Sequence, residues 1–144
     1  MNIFIIAGIV VVMIAVSILN IIYLKKGKEE DKKFMEENPD ISTIELHSSS
    51  HIVSSNTTIY TVDEKIPHYS KSSFKGFVFI EEGEHILSVG ASFTRPGIMY
   101  KSVTTDIGPT DIKVKIEKKK KYILKYNKKE GFFLEEIEKK PLNK

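Results

Sequence analysis

The chain has 144 residues, a formal net charge of +3 and no cysteine. The missing cysteines exclude disulfide bonds, thiolate zinc sites and a cysteine nucleophile. The mild positive charge gives no support for nucleic-acid binding, which needs a concentrated basic surface.

The N-terminal part of the chain is an uncharged apolar segment that begins at Ile3 and ends at Leu24. As a helix at about 1.5 Å per residue it is roughly 33 Å long, which matches the hydrocarbon thickness of a bilayer. No Lys or Arg precedes it, and it is longer than the apolar core of a signal peptide. We therefore predict that residues 1–24 are a retained single-pass transmembrane anchor in the cell membrane.

The residues after the anchor indicate its orientation. Five basic residues follow it closely: Lys25, Lys26, Lys28, Lys32 and Lys33. Basic residues beside a membrane helix tend to stay in the cytoplasm. This pattern predicts a cytoplasmic soluble domain, with the exported side as the alternative.

Residues 25–40 are dense in charges of both signs and are predicted to be a juxtamembrane stalk. Glu29 and Lys33 form an i,i+4 pair that favours continuation of the helix. Gly27 weakens that continuation, and Pro39 ends it. A short, at best semi-rigid stalk is expected.

From residue 41 onward, short runs of β-branched and aromatic residues alternate with turn residues. These runs cover residues 41–47, 51–53, 57–62, 77–81, 84–89, 91–94, 99–105, 111–117, 122–126 and 132–137. They predict a mainly β fold at residues 41–138, a compact antiparallel β-sandwich of seven to eight strands, with a polar tail at 139–144.

Three local features of this pattern are specific enough to test. Ser48–Ser50 is predicted to be a polar break, and residues 68–75 a loop. Glu82 and Gly83 are predicted to close a tight hairpin between runs 77–81 and 84–89. The predicted core consists of inward-facing apolar residues: Ile44, Leu46, Ile59, Phe77, Phe79, Ile86, Val89, Ile112, Val114, Ile116, Ile123, Phe133 and Ile137.

The candidate chemical groups do not form a recognisable site. The four histidines are His47, His51, His68 and His85, and no third ligand follows the His47–His51 spacing in the way that a zinc site requires. The serine clusters lack a nucleophile elbow. We predict no catalytic, cofactor-binding or metal-binding residues.

The densest basic segment comprises Lys118, Lys119, Lys120 and Lys121. If it faces the bilayer, it is a candidate contact for anionic lipid or for a partner. Alternatively, these lysines are solvated and protect strand edges from aggregation.

The segment from Phe77 to Val89 and the strand that follows the lysines resemble a family of uncharacterised bacterial β-sandwich domains, often found in lipoproteins. Gly83, Glu84 and His85 match the Gly-x-His hairpin of that family, and Lys121-Tyr122 matches its later strand entry. The turn at 63–65 matches an upstream Asp-Gly-Lys turn. Three positions depart from the family pattern: Glu82 replaces its Pro, Lys120 replaces its Gly and Ile123 replaces its second Tyr. The resemblance implies a fold and an exported location, and it implies no activity.

These observations predict a non-enzymatic β-sandwich that binds a protein partner at the membrane surface. The alternative is an exported-side envelope or toxin-neutralising (immunity-type) protein. A small hydrolase that uses the serines and histidines is a third hypothesis, of a different class.

Overall fold

The computed structural model describes residues 3–50, 54–72, 76–97 and 102–137. Within these residues one helix precedes nine strands, which form two sheets. The prediction of a mainly β fold behind an N-terminal helix is confirmed. The predicted run 51–53 and the first residues of the run 99–105 lie outside the described residues.

The helix, α1 (Ile3–Glu37), is 35 residues long, which corresponds to about 52 Å at 1.5 Å per residue. Its first part is long and apolar enough to cross a membrane. At the other end, the backbone N–H and the side-chain amide of Asn38 both donate to the carbonyl of Phe34, at 3.0 and 2.9 Å. Pro39 follows and stops the helix, as predicted.

The strands include two short segments of two and three residues and two long ones of 14 and 15 residues. They are β1 (Ser42–Leu46), β2 (Ser48–Ser50), β3 (Ser54–Val62), β4 (His68–Tyr69), β5 (Phe77–Ile80), β6 (Gly83–Pro96), β7 (Ser102–Ile116), β8 (Lys121–Asn127) and β9 (Gly131–Glu136).

The strands divide into a five-stranded sheet and a four-stranded sheet. The five-stranded sheet has the order β4-β5-β1-β8-β9, and the four-stranded sheet has the order β2-β3-β6-β7. All neighbouring strands are antiparallel except β1 and β8, which are parallel. One parallel pair therefore interrupts the otherwise antiparallel arrangement that the sequence predicted.

The core lies between the two sheets and draws side chains from both. The five-stranded sheet contributes Ile44, Val78, Ile80, Tyr122 and Leu124, and the four-stranded sheet contributes Ile59, Leu87, Val89 and Ile116. Two residues predicted for the core are exposed instead, Ile86 by 46% and Ile137 by 37%. Ile86 is exposed because its neighbours Leu87 and Val89 face the core, and strand side chains alternate between faces.

The predicted hairpin between runs 77–81 and 84–89 is wrong. β5 pairs with β1 and β4, whereas β6 pairs with β3 and β7, so the two strands belong to different sheets. Glu81 and Glu82 carry the chain from one sheet to the other. Gly83, Glu84 and His85 therefore open a long strand rather than the second arm of a hairpin.

Several predicted breaks are parts of strands. Ser48–Ser50 pairs with the start of β3, and His68–Tyr69 pairs with β5. β7 continues through Gly108, which has a φ of 103°. A Cβ on Gly108 would lie 2.6 Å from the carbonyl oxygen of Val89 on the neighbouring strand. Glycine is therefore required for β7 to remain paired at this irregularity.

Candidate functional site

One carboxylate of the charged segment after the apolar run is buried against the sandwich. Asp31 of α1 is only 7% exposed. Its Oδ2 accepts hydrogen bonds from the Ser70 hydroxyl at 2.5 Å and from the Ser72 backbone N–H at 3.1 Å. Its Oδ1 accepts from the Lys71 backbone N–H at 3.1 Å. One side chain thus binds three donors of the segment that follows β4.

These donors determine the ionisation of Asp31. Burial alone would raise the pKa of this carboxyl, but the hydrogen bonds from Ser70, Ser72 and Lys71 outweigh it and hold the pKa below its ordinary value of 3.8. Hydrogen bonds to the charged form of a carboxyl stabilise that form. Asp31 is therefore a carboxylate at neutral pH.

Packing on both sides of Asp31 extends this contact along the helix. Toward the C-terminus of α1, the Phe34 ring stacks on His68 with ring centroids 4.0 Å apart and planes 6° apart. Phe34 also contacts Phe79, at 5.2 Å between centroids. Toward the apolar part, Gly27 is buried, and a Cβ there would lie 2.6 Å from the carbonyl oxygen of Lys71. The close approach of the two backbones at this point requires glycine.

An exposed ion pair adds to the same contact. Lys71 Nζ lies 2.7 Å from Glu30 Oε2, and this hydrogen bond lowers the pKa of Glu30 and raises the pKa of Lys71. Exposed pairs of this kind contribute little to stability. We call the whole contact, of Gly27, Glu30, Asp31 and Phe34 with residues 68–72, the junction.

The junction determines which end of the sandwich faces the apolar run. Going toward the apolar run along α1, Phe34 contacts His68, Asp31 contacts Ser70 and Ser72, and Gly27 contacts Lys71. β4 and the residues after it therefore run toward the apolar run. At the opposite end, Glu81 and Glu82 line a concavity together with residues 37–41, just after α1 ends.

A second group of polar contacts surrounds His85 at that opposite end. Asp63 Oδ2 lies 2.6 Å from His85 Nδ1, and the carbonyl oxygen of Glu81 lies 3.1 Å from His85 Nε2. The Ile86 backbone N–H donates to Asp63 Oδ1 at 2.8 Å. This bond, and then the one with His85, holds the pKa of Asp63 below its ordinary value. The Asp63 turn and the Gly-x-His segment, which were matched separately in the sequence, thus contact each other.

Asp63, His85 and Ile86 border an open cleft of about 530 Å³ on the four-stranded sheet. The exposed Ile86 lies within it and is directly opposite Lys113 in the β6–β7 register. The cleft combines one exposed apolar side chain with charges of both signs, and its lining residues are Asp63, Glu84, His85, Ile86, Lys113, Val114 and Lys115.

The predicted lysine segment lies at the same end as this cleft, remote from the apolar run. Lys119 Nζ is 3.3 Å from Asp40, just beyond the end of α1. Lys120 Nζ is 2.6 Å from Glu117 and 2.8 Å from Glu136, and these two carboxylates raise the pKa of Lys120. Lys118 lies in the β7–β8 turn, and Lys121 begins β8.

The serines and histidines that suggested a hydrolase are distributed over the sandwich. Ser48–Ser50 pairs with the start of β3, whereas His85 contacts Asp63 just beyond the end of β3. The two groups are thus separated by the length of β3, about 25–30 Å at 3.3 Å per residue. Within the described ranges, no three His, Asp or Glu side chains are grouped to hold a metal ion. His51 lies outside those ranges.

The junction was missed by sequence reasoning, whereas parts of the cleft were not. Gly83, Glu84 and His85 were selected from the sequence, and Glu84 and His85 line the cleft. The sequence does not single out Asp31 among the charges of the stalk, because its partners lie about 40 residues away. The available signals were the lone Gly27 within the charged helix and the serine-rich segment that begins at Ser70.

No protein-family model matches this sequence, and no curated protein and no solved structure matches it significantly.

Proposed function

We propose that this chain is a single-pass membrane protein whose β-sandwich is a non-enzymatic module that binds another protein at the membrane surface. The observation that supports this most directly is the junction. α1 continues from the apolar run without a break, and the buried Asp31 ties it to the sandwich. A tether of this kind holds a binding surface at a set height and angle, which a flexible linker would not do.

The cleft is the surface that we propose for the partner. It lies at the end of the sandwich remote from the apolar run, where a soluble or membrane-bound protein has access. Ile86 supplies an apolar contact, and Glu84, Lys113 and Lys115 around it supply charges. Interfaces with an apolar centre and a charged rim are typical of protein–protein recognition.

This proposal predicts site-specific crosslinking at the cleft. A photo-crosslinking amino acid at position 86, in the full chain in its native membrane, should give one discrete adduct. The same amino acid at Glu135, exposed on β9 of the other sheet, is the matched control and should not give that adduct. The purified partner should then bind Ile86→Glu at least about tenfold more weakly, because an anchor residue typically contributes more than 1.4 kcal/mol. Equal adducts at both positions, or no adduct at either, would contradict the proposal.

We further propose that the sandwich is cytoplasmic, because five lysines closely follow the apolar run. The lipoprotein-like resemblance supports the exported side, with an envelope or toxin-neutralising role. A C-terminal epitope should resist added protease in intact cells and in cells whose outer membrane alone is permeabilised. It should be cleaved only after the membrane that holds α1 is permeabilised as well. Cleavage before that step would reverse the orientation and give the exported role priority.

A further inference from the structure

The strand directions place one rim of the sandwich beside the apolar run. β4 runs toward that run, as the junction contacts show. β5 is antiparallel to β4, β1 is antiparallel to β5, and β8 is parallel to β1. β8 therefore also runs toward the apolar part of α1, and the turn between β8 and β9 lies at that end.

The four-stranded sheet reaches the same rim. The ring of Phe93 on β6 lies 5.5 Å from that of Tyr126 on β8, and Tyr126 lies 4.8 Å from Phe132 on β9. These three partly buried aromatic rings join the ends of the two sheets. Arg95 follows on β6 beyond this contact, and Lys128 and Lys129 follow in the β8–β9 turn.

The position of this rim along the axis of α1 can be estimated from the strand register. Lys121 is level with His68 through the register His68–Phe79, Phe79–Thr43 and Thr43–Lys121. Tyr126 lies five residues further along β8, at most about 17 Å nearer the apolar run at 3.3 Å per residue, because the twist of a sheet inclines its strands to one another. The same distance along α1 from Phe34, which stacks on His68, covers about eleven residues and reaches Tyr23 at the furthest. The aromatic rings of the rim therefore lie at the end of the sandwich that faces the apolar run.

The rim has the chemistry of a bilayer interface. Tyrosine is enriched where hydrocarbon meets headgroups, and Tyr23, at the end of the apolar run, is 69% exposed. Arg95, Lys128 and Lys129 are exposed, and the structure pairs none of the three with a carboxylate among the residues it describes. Glu130 is the acidic residue of the turn. By contrast, Lys119 and Lys120 at the far end are paired with Asp40, Glu117 and Glu136.

We infer that this rim, defined by Phe93, Arg95, Tyr126, Lys128, Lys129 and Phe132, rests on the surface of the bilayer that holds α1 and binds its anionic lipid headgroups. The inference rests on the proposed membrane anchor. The proposed lipid contact thus lies at the opposite end of the sandwich from the lysine segment 118–121, which the sequence suggested for that role. The attraction adds to the junction in holding the sandwich against the membrane, since basic residues near an anionic surface are drawn to it.

The absence of cysteine allows a direct test with single labels in the full chain. Asn127→Cys at the rim and Lys118→Cys at the far end would each carry an environment-sensitive fluorophore. Both proteins would be placed in nanodiscs of phosphatidylcholine with phosphatidylglycerol, and a spin label on lipid headgroups would quench fluorophores at the surface. We expect at least about threefold stronger quenching at position 127 than at 118, because quenching requires contact with the headgroups.

Charge variants in the same assay separate rim binding from mere proximity. Replacing Lys128 and Lys129 with Gln should lower the ratio of docked to undocked rim about 30-fold. Raising the salt concentration should lower this ratio as well, because salt screens exposed charges. The matched pair Lys118→Gln and Lys121→Gln removes the same charge at the far end and should leave the label at 127 unaffected. Equal quenching at both labels, or no response to the rim variants, would overturn the inference. A protein that fails to co-purify with nanodiscs would instead refute the membrane anchor itself.

Discussion

Replacing Asp31 with alanine is expected to release α1 from the sandwich. The variant removes the acceptor of the Ser70 hydroxyl and of the Lys71 backbone N–H, and it leaves the Ser72 backbone N–H only its longer bond to Ser70 Oγ, at 3.3 Å, in a partly buried contact. Hydrogen bonds to a charged group and the penalty for unsatisfied donors together correspond to about 2–4 kcal/mol here. Hydrogen exchange of the Lys71 and Ser72 amides should accelerate by about 30- to 1000-fold, because 1.4 kcal/mol is a factor of ten.

Two further variants show that the effect belongs to this carboxylate. Glu29→Gln removes a neighbouring exposed charge and should leave the exchange of both amides unaffected. Asp31→Asn keeps the shape of the side chain but offers one acceptor oxygen in place of two, so it should lie between wild type and alanine. Unaltered protection of Lys71 and Ser72 in Asp31→Ala would contradict the assignment of the junction.

The same contact should depend on pH in a defined direction. When α1 is packed on the sandwich, the junction binds the carboxylate form of Asp31 and lowers the pKa of this group. The contribution of Asp31 to the stability of the junction is therefore fully present above the ordinary pKa of 3.8. It is lost as the pH falls below that value and through the lower pKa of the docked state. Hydrogen exchange corrected for its intrinsic pH dependence should show this loss in wild type and no such loss in Asp31→Asn.

Replacing Leu124 with alanine is expected to destabilise the sandwich by about 2–5 kcal/mol, the range for a fully buried leucine. Leu124 is 0% exposed and belongs to the core between the two sheets. Ile123→Ala is the matched control, because Ile123 is adjacent on the same strand but faces away and is only half-buried. Ile123→Ala should lower the free energy of unfolding by about 1 kcal/mol or less.

Thermal unfolding of the full chain in detergent, followed by the circular dichroism of the strands, would compare these two variants. A larger loss of unfolding free energy in Ile123→Ala than in Leu124→Ala would mean that the Ile123 face of β8, and not the Leu124 face, packs in the core. The sequence predicts Ile123 rather than Leu124 as a core residue, so comparing the two variants also decides which face of β8 is buried.

The strands were predictable where polarity alternates and unpredictable where it does not. Ile112, Val114 and Ile116 alternate with charged residues, and their inward face agrees with the prediction. Ile86 and Leu87 are adjacent and both apolar, so the period of two does not say which one faces inward. The neighbouring sheet decides, and it buries Leu87.

The change of sheet at Glu81 and Glu82 was hidden for a related reason. An apolar run, two or three turn-forming residues and a second apolar run describe a hairpin and a sheet-to-sheet crossing equally well. What distinguishes them is the choice of hydrogen-bonding partners, and those partners are distant in sequence: β5 pairs with β1, and β6 with β3 and β7. Short-range patterns therefore predicted the class of fold but not this connection.

The junction illustrates the same limit for the candidate site. A carboxylate in a helix that carries many charges has the local pattern of a solvated residue. Its burial depends on three donors around position 70, which approach only after the sheet has formed. Gly27 was read as a weak point of the helix, and the structure shows that α1 passes through it unbroken and uses its missing side chain for contact with Lys71.

The unbroken helix has a geometric consequence for the orientation of the whole molecule. An α-helix turns by about 100° per residue, so each face of the apolar run of α1 has a fixed angle about the helix axis relative to Gly27, Asp31 and Phe34. These three residues in turn fix the sandwich. The number of residues between the apolar run and the junction therefore sets the direction in which the cleft faces around the helix axis. Any rotation of the helix about that axis rotates the cleft by the same angle.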